Sequence, residues 1–521
     1  MFHSIWSQVL FTLTKFLTKH RHNIRLTIRF GVYFFAFFLL FSAFWINSHF
    51  GEPSLEQILY HLQFGMEGLV DTDAGIVRSF VEECLYWPLA LAFILVAIER
   101  LLGCFLINRL RTYKTYASTF DQTLEKISKI IYWLINHRAP LYTFLGAFIY
   151  FGLQFSILTY VQQKFGRDYF GANYLNPKQV QITAKKPKNL VLIYVESLEN
   201  AYRDESLFGK NLLKSLDKIG GVSFNSYRQA PGTGWTIAGI TATNCGLPLK
   251  SVTLYGGNDQ GENIKSFLPK AICLADVLHA HGYHNVYFGG DALKFSGKGK
   301  FFQDHHFDEV YGREELKGEL TATQMNYWGL HDDDLFAKVK TKLVSLHRKN
   351  QPFNFTITTI DTHGPDGHFS KLCKKNGAKD FQDVVECTSN QVTNFVNFIK
   401  KKGYLKDTNV VILGDHLAMY NPVHEKLDKV RERYIYNQFI SLKKITKTRE
   451  DVLHFDMFPT ILEFIGFHVE GGKLGLGYTA ITPNVPQPAP NEFKEMESDL
   501  LNESETYIEL WKSDNNEEIS H

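Results

Sequence analysis

The sequence predicts an N-terminal helical transmembrane anchor followed by an α/β domain with a mostly parallel central sheet. Three observations carry this. The 43 Phe and 25 Tyr of the 521-residue chain are unevenly spread, with the Phe-rich share in the first third. That third contains three long apolar runs. From about Lys188 onward, short β-branched runs alternate with helical periods, the pattern of a parallel sheet covered on both faces. The formal net charge of +2 gives no electrostatic reason to bind nucleic acid. A mean hydropathy of −0.16 excludes a protein lying mostly in lipid.

The first apolar run, Phe30 to Ile46 within RFGVYFFAFFLLFSAFWIN, carries no charge and is long enough to cross the roughly 30 Å of a bilayer's hydrocarbon. A second, Cys84 to Ile107, contains Glu99 and Arg100, expected to lie near the headgroups or to pair with each other. A third runs from Ala139 to Val161. Lys15, Lys19, Arg21, Arg25 and Arg29 precede the first run, and Arg109, Arg111, Lys114, Lys126, Lys129 and Arg138 lie between the second and third. Arg78 is alone between the first two. Basic loops stay in the cytoplasm, so everything after about Val161 is expected on the far side of the membrane. Tyr160, Tyr169, Phe170 and Tyr174 suit either an interfacial belt or ordinary packing.

The second part reads, in order, as strand NLVLIYVE, a helix near Leu207 to Ile219, strand GVSFNSYR, a helix after Thr236, a helix through Cys273 to His281 and strand HNVYFGG. A helix near Asp332 to His347, strand FNFTITTID, a helix through Val384 to Lys401, strand TNVVILGD and a helix through Phe455 to Ile465 complete it. In such sheets the chemistry gathers beyond the carboxyl ends of the strands. Glu196 follows LVLIYV, Asp415 and His416 follow VVILG, and Asp361-Thr362-His363 follows FTITTI. Singly, each is an ordinary cap, turn or loop residue. Together, a Glu, an Asp and a His at strand ends are a donor set for one divalent cation. Mn²⁺ suits it best, with Mg²⁺ or Zn²⁺ as alternatives.

In PGTGWTIAGITATNCGLPL, glycines free the backbone up to Trp235, and a helix begins at Thr236. A hydroxyl there lies where a helix dipole and a nearby cation both favour an alkoxide and attract phosphate. Thr236 is then a nucleophile or merely a cap, and Thr233 and Thr241 are equally eligible by spacing.

Glu196 after a strand, GTGWTIAG, NCGLPL, WGLHDDDLF, DTHGP and GDHLAMYN, in this order, resemble the membrane-anchored phosphotransferases of the alkaline phosphatase and sulfatase superfamily. The phosphoglycerol transferases acting on periplasmic glucans are nearest, with lipoteichoic acid synthases and lipid A phosphoethanolamine transferases more distant. The resemblance covers about Asn189 to Leu476. It implies an alkaline phosphatase/sulfatase-like domain with Glu196, Asp415, His416 and Thr236 as metal ligands, and with Thr236 as the nucleophile. His363 is implied as a contact to the phosphate or leaving group, and Lys298 and Trp235 as further substrate contacts. Cys245 is followed by Gly-Leu-Pro-Leu-Lys rather than the x-Pro-x-Arg that formylglycine formation requires, so sulfate-ester hydrolysis is not expected.

The implied reaction is transfer of phosphoglycerol from phosphatidylglycerol, through a phosphoglycerol-threonine intermediate, to a periplasmic glycan or lipopolysaccharide acceptor. The implied location is a multi-pass protein of the bacterial inner membrane with its catalytic domain in the periplasm. Phosphoethanolamine transfer to lipid A or another surface acceptor is one alternative, and a non-catalytic membrane-anchored sensor or binding protein another. In an oxidising compartment Cys245 with Cys273, and Cys373 with Cys387, are expected to pair, free buried thiols being the alternative. The expected organisation is a transmembrane domain of three helices over 1–162, a juxtamembrane linker over 163–187, the catalytic domain over 188–490 and an acidic tail over 491–521. That tail carries ten acids against two lysines and reads as solvated, although Leu500, Leu501, Tyr507, Leu510 and Trp511 would suit one amphipathic helix.

Overall fold

The computed structural model describes residues 2–50, 74–113, 126–131, 138–250, 266–318, 324–483 and 492–512, with a few isolated positions between. The basic residue Lys114 and the end of the acidic tail, 513–521, lie outside the described residues. The chain forms two compact units, one of residues 1–48 and 74–158, the other containing everything from Thr159 onward.

In the first unit, α1 (Phe2–Phe50) is one unbroken helix. A π-helical turn, Val81–Tyr86, leads into α2 (Trp87–Tyr113). Two stretches, Asn23–His49 and Val77–Leu102, are long and apolar enough to cross a membrane. The third run is not straight: α3 (Ala139–Gln154) and α4 (Ile157–Gln163) meet at 57° and pass the same test only as a pair. The break lies at Ser156, whose φ of 50° stops helical hydrogen bonding. Glu99, expected at the headgroups or beside Arg100, is held by α1. Arg29 Nη2 is 2.5 Å from its Oε2, and Tyr33 donates to its Oε1. A carboxylate on an apolar helix is costly unless paired, and these donors satisfy it.

The second unit is built on a six-stranded sheet: β1 (Asn189–Val195), β2 (His284–Gly289), β3 (Glu309–Tyr311), β4 (Phe353–Thr358), β5 (Thr408–Gly414) and β6 (Asn437–Ile440). Their order is β3-β2-β4-β1-β5-β6, all parallel except β6. β1 is central, and its continuous apolar run is what burial on both faces requires. Leu190, Leu192 and Tyr194 enter one core, Val191, Ile193 and Val195 the other, following the two-residue period of a strand. The first core is covered by α5 (Tyr169–Asn173), α6 (Thr236–Cys245), α7 (Leu274–Ala280), α8 (Lys298–Asp304) and α11 (Met457–Phe464). The second is covered by α9 (Asp332–Arg348) and α10 (Phe381–Lys401). α9 starts with three aspartates and ends on His347 and Arg348, matching the helix dipole at both ends. In α10, Asp380 caps the first turn by accepting from Asp383 N–H at 3.0 Å.

Several local expectations are corrected. The helix near Leu207 to Ile219 is two single turns, Glu205–Phe208 and Lys214–Asp217, because Gly209 takes φ 74° and ends the first. GVSFNSYR adds no strand to the central sheet. Ser226–Arg228 pairs with Asp451–Leu453, Val222 makes a single bridge to Phe439 of the edge strand β6, and between them the Asn437 side chain binds Phe224 N–H and C=O at 2.7 and 2.8 Å in place of a ladder. Of the two readings of Tyr169 and Phe170, packing holds: both are fully buried in the first core. The tail packs as well. α12 (Glu492–Asp499) and α13 (Glu505–Trp511) bury Met496, Leu500, Tyr507 and Leu510 in the first core. Glu495, Glu497, Glu505 and Glu509 are exposed, so burying the apolar face leaves these charges in water. The expected cysteine pairs are present as disulfides, Cys245–Cys273 and Cys373–Cys387.

Candidate functional site

β4, β1 and β5 are neighbours and parallel, so their carboxyl ends open side by side. This brings together residues more than 200 positions apart in the chain. Glu196 leaves β1 with its backbone fixed on both sides: its N–H donates to Thr359 Oγ1 at 3.1 Å and its carbonyl accepts from the Thr362 hydroxyl at 2.6 Å. Ser197 is held at φ 54°, a strained region for a residue with a side chain. In that conformation its hydroxyl donates to Glu196 Oε1 at 2.7 Å and its N–H to Asp415 Oδ1 at 2.8 Å. His416 N–H donates to the same Asp415 oxygen at 3.0 Å.

The remaining donor atoms converge. His416 Nδ1 faces the Leu417 carbonyl at 2.8 Å and so carries the proton, which leaves the Nε2 lone pair directed elsewhere. Nε2 lies 3.5 Å from both Glu196 Oε1 and Asp415 Oδ2. Among the described residues, Asp415 Oδ2 and His416 Nε2 have no hydrogen-bond partner although both are buried. One ligand atom each from Glu196, Asp415 and His416 lie within 4.8 Å of one another. Burial and the negative charge of Glu196 push the Asp415 carboxyl up from its ordinary value. For Glu196 burial acts upward too, but His363, His416, the Ser197 hydroxyl and Lys298 outweigh it and hold the carboxyl low. Two buried carboxylates facing orphaned polar atoms are a cost that a divalent cation would relieve, so the donor set fits one.

Thr236 is the first residue of α6, after Trp235, and its half-buried hydroxyl donates to Glu196 Oε2 at 3.2 Å. Its rivals are occupied or enclosed. Thr233 donates to Ala230 C=O at 2.6 Å and contacts His454 Nδ1 at 3.1 Å, and Thr241 is fully buried inside α6. Gly239 makes this approach possible: a Cβ there would stand 2.0 Å from the Asp415 carbonyl, so α6 can lie against the Asp415 backbone only with glycine.

His363 is half-buried at the end of the β4 loop. Its Nδ1 faces the Gly364 carbonyl at 2.7 Å, and its ring lies 4.3 Å from that of Trp328. Lys298, expected as a substrate contact, is almost fully buried and ion-paired with Asp291. Trp235 is buried at the start of α6. Ser197, Thr359 and Asp291, which hold the site's backbone and Lys298, carry no motif in the sequence. A small polar residue beside each strand-end acid was the signal available, and it is too common to stand out. A second group, Cys245, Cys273 and His305, also lies within 4.8 Å, but its sulfurs are joined to each other and are not donors.

The chain is similar to several known proteins. Phosphoglycerol transferase I of Escherichia coli strain K12 is 34% identical over 375 residues, covering 69% of this chain and 47% of that protein. The chain therefore spans about half the length of the curated relatives it matches. Among solved structures, the lipoteichoic acid synthase LtaP of Listeria monocytogenes is similar with TM-score 0.44 and 16% identity, covering 66% of this chain and 80% of that one. The lipooligosaccharide phosphoethanolamine transferase A of Neisseria meningitidis is similar with TM-score 0.44 and 16% identity, covering 83% of each chain. A family model described as Sulfatase matches residues 188–467, more than half of the chain, and this protein belongs to the sulfatase family.

Proposed function

We propose that the protein transfers phosphoglycerol from phosphatidylglycerol to a glycan acceptor, with Thr236 carrying the group between the two half-reactions. The observation that supports this most directly is the Thr236 hydroxyl, at the start of a ten-residue helix, donating to Glu196 within the Glu196, Asp415, His416 group. The helix N-terminus favours a phosphate placed over it. Glu196, Asp415, His416 and Thr236 would hold a divalent cation, Mn²⁺ by preference, which would supply positive charge favouring the alkoxide and the crowded phosphoryl oxygens.

In the first half, Thr236 Oγ forms a bond to phosphorus as the bond to the diacylglycerol oxygen breaks. The hydroxyl proton leaves along the hydrogen bond to Glu196 Oε2. His363, oriented through Nδ1, uses Nε2 to protonate the departing alkoxide. In the second half the acceptor oxygen bonds phosphorus and gives its proton to His363, the Thr236 Oγ–phosphorus bond breaks, and Thr236 Oγ takes its proton back from Glu196. Lys298 and Trp235, buried close to Thr236 and Glu196, are assigned to the walls that receive the headgroup. The apolar helices Asn23–His49 and Val77–Leu102 suit an inner-membrane anchor that holds the site at high effective concentration near a lipid donor, on the periplasmic side.

The test is mass spectrometry of the Thr236 peptide after incubation with phosphatidylglycerol and Mn²⁺. A phosphoglycerol adduct is expected on Thr236, and Thr236→Ala is expected to lose diacylglycerol release by at least about a thousandfold, as for other enzymes stripped of a nucleophile. Undiminished release by Thr236→Ala, or an adduct with phosphatidylethanolamine alone, would sink the reading.

A further inference from the structure

Glu199 is fully buried three residues after Glu196, where a second unpaired carboxylate would add to the negative charge of the site. Arg433 answers it with a fork. Its Nε lies 3.0 and 3.1 Å from the two Glu199 oxygens, and its Nη2 donates to Oε2. The same guanidinium donates to the Ala418 carbonyl at 2.7 Å, and Ala418 N–H donates to Glu199 Oε2 at 3.1 Å. Glu199 sits on the segment that carries Glu196, and Ala418 on the segment that carries Asp415 and His416. Arg433 precedes β6, and its surroundings stitch the same pieces: Asn200 N–H to Tyr434 C=O at 2.8 Å, Tyr436 N–H to Leu198 C=O at 3.0 Å, and Gly414 N–H to Tyr436 C=O at 2.7 Å. At Gly414 a Cβ would stand 2.0 Å from the Leu198 carbonyl, so the two segments approach as closely as backbones can.

We infer that Arg433 and Glu199 are positioning residues: a buried ion pair that clasps the two ligand-bearing strand ends at the separation a divalent cation requires. Neither side chain reaches Thr236 or the converging donor atoms, so the pair acts through the backbone of Ala418 and through charge balance. Arginine is needed because a bidentate fork fixes direction as well as charge, which a lysine ammonium does not. This rests on the metal-site reading proposed above.

The experiment measures Mn²⁺ binding by calorimetry to the full chain in detergent, with hydrogen exchange at the Ala418 amide. Arg433→Lys keeps the charge and loses the fork; it is expected to fold as the parent and to bind Mn²⁺ about tenfold more weakly, in the range for orienting partners of metal ligands. Arg433→Met is expected to weaken binding up to about a hundredfold and to speed Ala418 exchange at least tenfold. In Glu199→Gln/Arg433→Met the buried charge is gone but so is the fork, and affinity is expected to recover only to about the level of Arg433→Lys. Parent-like Mn²⁺ affinity in Arg433→Lys or in the double variant overturns the clasp. A parent that itself binds no Mn²⁺ overturns the metal-site reading instead, so the two failures are distinguishable.

Discussion

Asp332 and Asp361 are two fully buried carboxylates that each cap the other's backbone. Asp332 Oδ1 accepts the N–H groups of Ile360 and Asp361 at 2.8 and 3.3 Å, and Asp361 Oδ2 accepts Asp332 N–H at 3.0 Å. Thr388 donates to Asp332 Oδ2 at 3.1 Å, and His331 Nδ1 lies 2.6 Å from Asp361 Oδ1. The WGLHDDD stretch thus holds the DTH loop, and through it His363.

Burial, then the charge of Asp361, pushes the Asp332 carboxyl well above its ordinary value. Its hydrogen bonds therefore depend on an acceptor oxygen more than on a negative charge. Asp332→Asn retains that oxygen and removes the like-charge repulsion, and is expected to stay within about 1 kcal/mol of the parent. Asp332→Ala strands two N–H groups and a hydroxyl and is expected to cost about 3 kcal/mol or more, at roughly 1–3 kcal/mol per orphaned group. Denaturant unfolding of both variants measures the difference; equal losses would show that the hydrogen bonds are not what matters.

His368 supplies a pH prediction. Burial, with His363 and His331 nearby, pulls its imidazole down to about 3, against the residual pull of Glu196 the other way. The folded ring stays neutral between about 3 and the ordinary value of 6.5, while the unfolded ring takes a proton in that window. The unfolded state thus binds more protons there, so this contribution to stability is complete above 6.5 and is lost as pH falls towards 3. Melting temperature is expected to fall between pH 6.5 and 4, and His368→Gln to flatten that slope. An unchanged slope in the variant would contradict it.

The Arg29 and Glu99 pair joins two apolar helices. Breaking this ion pair by removing one partner is expected to cost up to about 3–5 kcal/mol, the range for a buried pair. Glu99→Leu is expected to lower the yield of membrane-inserted protein sharply, Arg29→Glu/Glu99→Arg to restore much of it, and Glu99→Gln to fall between. The amount of folded protein extracted from membranes is the readout. A reversed pair no better than Glu99→Leu would show that the contact itself contributes nothing.

The legibility of this protein in its sequence divides along local and non-local lines. Apolar runs, strand-helix alternation and the acids at strand ends are local patterns, and the central strands β1, β4 and β5 with Glu196, Asp415 and His416 after them are where the patterns place them. What depended on contact between distant segments was not readable. GVSFNSYR looks like a core strand until Asn437 takes its backbone bonds, and the tail looks solvated until Tyr507 donates to the Lys250 carbonyl at 3.4 Å and its ring joins the core.

Residue types, order and strand-end positions, all local, were set by the sequence alone, because periodicity and charge cost act within a few residues. The hydrogen bond from Thr236 to Glu196, the burial of Lys298 against Asp291, and the Arg433 fork on Glu199 were decided only by the tertiary structure. A hydroxyl or a charge has no role until packing determines which groups it faces and how little water remains between them.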